Sequence, residues 1–160
     1  MAVEIERKFL VTNDSWRAAV KKSGYYRQGY LSTMTGNASV RVRIADDHAN
    51  LNIKSMTLGV TRQEYEYEIP LQDAREILDN LCIGPVIEKT RYLVDHGDHT
   101  WEIDVFNGDN AGLIVAEIEL SSEDETFELP QWAGREVSDD KRYYNVYLAQ
   151  HPYKEWKDTL

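Results

Sequence analysis

Cysteine is nearly absent: Cys82 stands alone in 160 residues, which excludes an intramolecular disulfide framework and a multi-cysteine metal knot. Long apolar runs are missing as well. Nowhere does the chain approach the roughly 20 uninterrupted apolar residues of a membrane helix, and its start, Met1 to Lys8, carries charge where a secretory signal would carry its apolar stretch. These absences point to a cytoplasmic protein with no membrane partner. Bases are also outnumbered, 18 against 28 acids for a net charge of −10. That balance argues against an exposed nucleic-acid site, which shows as a basic face. Hydrophobic residues make up 42% of the chain, enough for a core, and the length suits a single domain spanning 1–160.

The acidity is unevenly spread. From Tyr92 to Asp140 there are fourteen acids and one base, Arg135, for a net of −13, whereas the remaining 111 residues hold fourteen acids and seventeen bases, net +3. Such division concerns fields and partners rather than fold.

What the chain has in quantity is alternation. Segments near 3–10, 25–34, 38–46, 50–57, 62–69, 86–95, 99–106 and 112–120 alternate apolar with polar residues and are rich in Val, Ile, Tyr and Thr, the pattern of half-buried strands. Between them lie turn signals such as Gly36-Asn37, Asp46-Asp47 and Asn107-Gly108, several short enough for hairpins. Helices are predicted over Trp16–Lys22, capped by Asp14 or Ser15 and stopped by Gly24, over Leu71–Leu81 after Pro70, and over Tyr143–Gln150, with a short piece at 153–157. The acidic run Glu123–Glu128 reads as a linker. The fold expected is mainly β within the α+β class: a closed eight-stranded antiparallel barrel with a few outer helices, since closure removes exposed edges.

The polar face of these strands is unusual. It carries Glu4, Glu6 and Lys8; Arg41 and Arg43; Lys54; Glu64, Glu66 and Glu68; Lys89 and Arg91; Glu102 and Asp104; Glu117 and Glu119. Spacing by two places each set on one side of its strand. Full charges sorted into acidic and basic strands suit a lumen better than a solvated surface, and an eight-stranded barrel has room for one small ligand. Arg and Lys suit phosphate oxygens, while paired carboxylates suit Mg²⁺ or Mn²⁺. The mixture fits a metal-bound polyphosphate.

Glu4-Ile5-Glu6-Arg7-Lys8 resembles the Glu-x-Glu-x-Lys signature of the CYTH, or triphosphate tunnel metalloenzyme, superfamily. Arg41-Val42-Arg43, Lys54, Glu64-Tyr65-Glu66-Tyr67-Glu68, Lys89-Thr90-Arg91, Glu102-Ile103-Asp104 and Glu117-Ile118-Glu119 follow in that family's order. The resemblance implies a barrel whose lumen binds a triphosphate with Mg²⁺ or Mn²⁺. It implies phosphate binding by Lys8, Arg41, Arg43, Lys54, Lys89 and Arg91, and metal binding by Glu4, Glu6, Asp104, Glu117 and Glu119. It puts Lys8, Glu4 and Glu6 at the catalytic centre, Lys8 with a part in activating water. Glu64, Glu66, Glu68 and Glu102 match lumen acids of variable duty, and Arg27 and Tyr30 either line the lumen or pack.

Motif onset at residue 4 and the compact length are similar to the bacterial inorganic triphosphatase type. The alternatives are a class IV-type adenylyl cyclase, a thiamine triphosphatase with an aromatic clamp from Trp16, Trp132 or Tyr25-Tyr26, and a non-catalytic polyphosphate or nucleotide binder. The partner expected is a small-molecule triphosphate, with the oligomeric state open and a homodimer among the options. His96 and His99 read as solvated turn residues, Cys82 as buried packing, and Gly29 as a bulge or a close approach.

Overall fold

Apolar residues alternating with charges must send the two sets to opposite sides of each strand, and the chain does so around a closed circuit. The structure, a computed structural model, describes residues 3–160; Met1 and Ala2, the first residues of the expected 1–160 span, lie outside the described residues. The strands are β1 (Val3–Val11), β2 (Val20–Tyr30), β3 (Ala38–Ala45), β4 (His48–Ser55), β5 (Thr61–Glu68), β6 (Ile83–His96), β7 (His99–Phe106), β8 (Ile114–Glu119) and β9 (Ala133–Glu136). Every pairing is antiparallel, in the order β5-β4-β3-β2-β6-β7-β8-β1-β9. Val3, Glu4 and Ile5 of β1 pair with Gln63, Arg62 and Thr61 of β5 and close the barrel.

The closing seam is short, and that explains the ninth strand. Beyond Ile5 the edge of β1 is no longer covered by β5, and Phe9 and Val11 take Glu136 and Ala133 of β9 instead. Four residues, Ala-Gly-Arg-Glu, carry no alternation, so the sequence hides this strand; an open edge decides it. The chain then runs through a 3₁₀ turn at Lys141–Tyr143, where Asp140 accepts from the Arg142 N–H, into helix α2 (Asn145–Gln150). Both α2 and the 3₁₀ turns at Tyr153–Glu155 and Lys157–Thr159 are shorter than the helices expected there.

One expected helix is corrected. Ser15–Ala19 forms only a 3₁₀ turn, and Val20, Lys21 and Lys22 already belong to β2. Val20 and Lys22 pair with Val94 and Leu93 of β6, so ladder bonds outweigh the weak local helix preference. The other helix, α1 (Leu71–Asn80), forms after Pro70 as expected and buries Ala74 and Leu78.

The apolar core lies outside the barrel in three groups. Phe9, Trp16, Trp101, Ile103, Ile118 and Trp132 pack around β1, β7 and β8. Val42, Ile44 and Ala49 pack beneath Ala74 and Leu78 of α1. Tyr143, Tyr144, Val146, Leu148 and Trp156 of the C-terminal segment pack with Tyr30, Ile87 and Phe106. Gly29 is both an irregularity and a close approach: the β2–β6 register shifts between Gln28 and Tyr30, and a Cβ at Gly29 would clash with Cys82 Sγ. His99 corrects its expected solvated state, since its Nε2 lies 2.5 Å from Glu125 Oε2, whose partner oxygen accepts from the Ser121 N–H. The linker 123–128 is thereby pinned to the barrel wall.

Candidate active site

Inside the barrel, Glu4, Glu6, Lys8, Tyr30, Ser39, Arg41, Arg43, Asn52, Lys54, Arg62, Glu64, Glu66, Lys89, Arg91, Glu102, Glu117 and Glu119 line a cavity of about 270 Å³, together with Tyr144, Asn145 and Val146. Register brings the strands' charges together. Arg41 stands opposite Asn52 and Lys54 opposite Glu64, Arg91 opposite Asp104, and Glu117 opposite both Glu102 and Lys8. Glu4, Glu6, Glu102, Glu117 and Glu119 come from β1, β7 and β8, and Arg41, Arg43, Lys54, Lys89 and Arg91 from β3, β4 and β6.

Some of these bases are neutralised by the protein. Lys54 Nζ is 3.0 Å from Glu4 Oε2 and 3.4 Å from Glu64 Oε2, and Lys8 Nζ is 3.6 Å from Glu117 Oε1 while donating to the Tyr143 carbonyl at 3.0 Å. Asp104, with no exposed surface, accepts from Lys89 Nζ at 2.7 Å and from Arg91 Nε and Nη2 at 2.8 and 2.9 Å. Burial opposes its ionisation, but the charges of Arg91 and Lys89 win and hold its carboxyl down at about 2.

Other bases are not neutralised. Arg41, Arg43 and Arg62 have no carboxylate in ion-pair contact among the described residues; Arg41 Nε is buried without a partner, Arg43 Nε donates to Gln28 Oε1 at 2.9 Å, and Arg62 lies 4.2 Å above the Tyr144 ring. Burial, and then repulsion from Arg41 and Arg91, lowers the Arg43 guanidinium to about 10. Burial also lowers Lys89 to about 7, the pull of Asp104 being partly undone by Arg91 and Arg43. Like charges held together this way are costly unless an anion joins them.

On the opposite wall the carboxylate oxygens of Glu6, Glu102 and Glu117 lie within 4.8 Å of one another. Burial and the Glu117 charge push Glu6 well above the ordinary carboxylate range. Glu117 stays well below it: burial opposes, and Lys8 and Arg91 overcome it. Three carboxylates at this separation, with Glu6 pushed toward its protonated form by burial and the Glu117 charge, fit a divalent cation such as Mg²⁺.

Not every residue expected in the lumen is there. Arg27 points outward, its Nε 3.5 Å from Glu88 Oε1, and Glu68 is exposed at the rim, 3.8 Å from His48. Asp104 sits behind the lining, committed to Lys89 and Arg91, and Glu4 is committed to Lys54 with its carboxyl lowered to about 2. Burial opposes that lowering, and a hydrogen bond from Glu64 and the Lys54 charge outweigh it. Glu119 is exposed on β8 next to Glu6, and Glu66 accepts from Asn52 Nδ2 at 3.2 Å. Trp16 and Trp132 are buried in the outer core, Tyr25 is exposed, and Tyr26 lies beneath the guanidinium groups of Arg43 and Arg91.

Ser39, Asn52 and Arg62 escaped the sequence reading although each precedes a charged lining residue by two and shares its strand face. Gln28 is the same kind of omission, two before Tyr30. Tyr144, Asn145 and Val146 had no such signal; they reach the cavity because β9 docks on β1 and turns the chain across it.

Comparison with known proteins agrees with this geometry. The CYTH domain family model matches residues 2–147. An inorganic triphosphatase of Acetivibrio thermocellus is 48% identical over 158 residues, 99% of this chain and 100% of that protein. One from Nitrosomonas europaea is 41% identical over 151 residues, 91% of this chain and 96% of that protein. A crystal structure of an inorganic triphosphatase matches with a TM-score of 0.67 and 37% identity, covering 93% of this chain and 95% of that one.

Proposed function

The chain belongs to the CYTH domain family, and on that premise we propose that it hydrolyses the terminal phosphoanhydride of a triphosphate, inorganic tripolyphosphate before nucleotides, with Mg²⁺ or Mn²⁺. Relatives at 48% and 41% identity carry the name inorganic triphosphatase. The observation that carries the reading is the set of cavity-lining Arg41, Arg43 and Arg62, without carboxylate partners in ion-pair contact among the described residues, in one cavity with the Glu6, Glu102 and Glu117 carboxylates. Such a cavity is incomplete without a polyanion and a cation.

Arg43 keeps both terminal nitrogens for phosphate oxygens because Gln28 takes only Nε, and the planar fork suits two oxygens at once. Lys89 spends two of its three donors on Asp104 and Asn145 and keeps one. Asp104 keeps Lys89 and Arg91 in place and limits the net charge beneath the substrate. Lys54, between Glu4 and Glu64, and Lys8, held by the Tyr143 carbonyl, complete the cradle. Glu6, Glu102 and Glu117 would hold a divalent cation, which would supply charge neutralisation and activation of water there. With a preformed cradle, most of the acceleration comes from positioning and electrostatics.

A cavity of about 270 Å³ whose aromatic lining, among the described residues, is Tyr30 and Tyr144 offers little to a nucleobase or thiazole ring. Trp16 and Trp132 are spent on the outer core. A cytoplasmic location belongs to the same reading. The test is phosphate release from tripolyphosphate, ATP and thiamine triphosphate with Mg²⁺ or Mn²⁺ and with EDTA. Metal-dependent orthophosphate, fastest from tripolyphosphate, is expected; no release from any of them, or cyclic AMP with pyrophosphate from ATP, overturns it.

A further inference from the structure

Asn145 opens α2 where the C-terminal segment crosses the barrel, and its side chain borders the cavity. Its Oδ1 accepts from Gln28 Nε2 at 2.8 Å and from Lys89 Nζ at 3.1 Å. Gln28 in turn accepts from Arg43 Nε at 2.9 Å through Oε1.

The direction of this chain follows from its ends. A guanidinium has no acceptor, so Gln28 must turn its carbonyl to Arg43 and its NH₂ to Asn145. The Lys89 ammonium also only donates. Asn145 therefore meets two donors with one oxygen, and its own NH₂ is turned away from both. Among the described residues Nδ2 has no protein acceptor, and it is not sealed from the cavity.

We propose that Asn145 is a further substrate-binding residue, presenting Nδ2–H to a phosphate oxygen while its carbonyl positions Lys89 and, through Gln28, Arg43. The inference rests on the triphosphatase reading. A neutral donor here adds a hydrogen bond without adding charge to a cluster already crowded with cations. It also links substrate to the C-terminal segment, so that a phosphate oxygen, α2 and two strands share one network.

The residue's two parts come apart by substitution. Asn145→Asp keeps an acceptor for Gln28 and Lys89 but replaces the donor with a carboxylate oxygen facing the phosphate. Asn145→Ser removes both, without added charge. Calorimetric titration with tripolyphosphate in EDTA reads affinity without turnover, and thermal unfolding reads the bracing. N145D is expected to keep a melting temperature near wild type yet weaken tripolyphosphate by at least about tenfold, because the lost bond is to a charged group and a like charge replaces it. N145S is expected to melt lower and to bind on the order of fivefold more weakly. A purely structural role would give the reverse order, with N145D near wild type in affinity, and that result overturns the inference. Should N145D not fold, wild-type affinity in N145S overturns it. Wild-type protein that binds no tripolyphosphate overturns the triphosphatase reading and this inference with it, whereas wild-type binding left unchanged in both variants overturns this inference alone.

Discussion

Glu6 and Glu117 are two carboxyls in contact, driven apart in acidity by what surrounds them. Glu117 has Lys8 and Arg91 nearby and stays ionised, while Glu6, buried beside that charge, holds its proton well above the ordinary range. A group with a raised folded value stabilises fully below its unfolded value and loses that contribution as pH rises through the folded one. In EDTA the unfolding free energy of the wild type should therefore fall, relative to Glu6→Gln, as pH climbs above the ordinary value of 4.5. Urea titrations of both proteins across pH measure this, and parallel pH profiles would contradict it. A cation reverses the sign by displacing the proton, so metal binding releases acid. Much of this residue scale was legible in advance: alternation placed Glu6 and Glu117 inward. That Asp104 would pair with both Lys89 and Arg91 was not legible, because it depends on cross-strand register.

At the scale of elements, α1 and β2 meet at a point set by a missing side chain. Gly29 faces α1, and an added Cβ would lie 2.4 Å from Cys82 Sγ and 3.1 Å from Leu78 Cδ2. Leu78 is buried with Val42 and Ile44, so the helix end has little room to yield. Gly29→Ala should cost about 1–3 kcal/mol, as overpacking commonly does, with Cys82→Ala restoring part of it. Tripolyphosphate turnover should stay near wild type at a temperature where the variant is folded, since α1 packs outside the tunnel. Denaturant unfolding and a steady-state assay check both halves; an unchanged midpoint would show that the helix end shifts freely. The elements misread from sequence share a cause. Val20–Lys22 and Ala133–Glu136 take strand form from partners far away in the chain, and local propensity carries no record of a partner.

For the molecule as a whole, the net charge of −10 conceals a polar core that is balanced only with ligands in place. Because each wall of the tunnel repels itself, Mg²⁺ alone and tripolyphosphate alone should each raise the melting temperature of EDTA-stripped protein. At about 100 times its dissociation constant a ligand adds about 2.7 kcal/mol. Scanning fluorimetry against each ligand separately is the measurement, and a flat response to tripolyphosphate would remove the anion site from the lumen. High salt should weaken this response less than it would at an exposed basic patch, because buried pairs are poorly screened.

By itself the sequence determined which residues face inward, since a period of two admits one alternative only, and it thereby determined a mixed lumen of acids and bases. Lys8, Arg41, Arg43, Lys54, Lys89 and Arg91 all border that lumen. Tertiary structure alone decided how the charges are shared: register handed Asp104 to two cations, the end of β5 let β9 dock on β1, and that docking carried Asn145 to the cavity. The physical reason is that alternation is a property of neighbouring residues, whereas charge pairing is a property of strands brought together from across the chain.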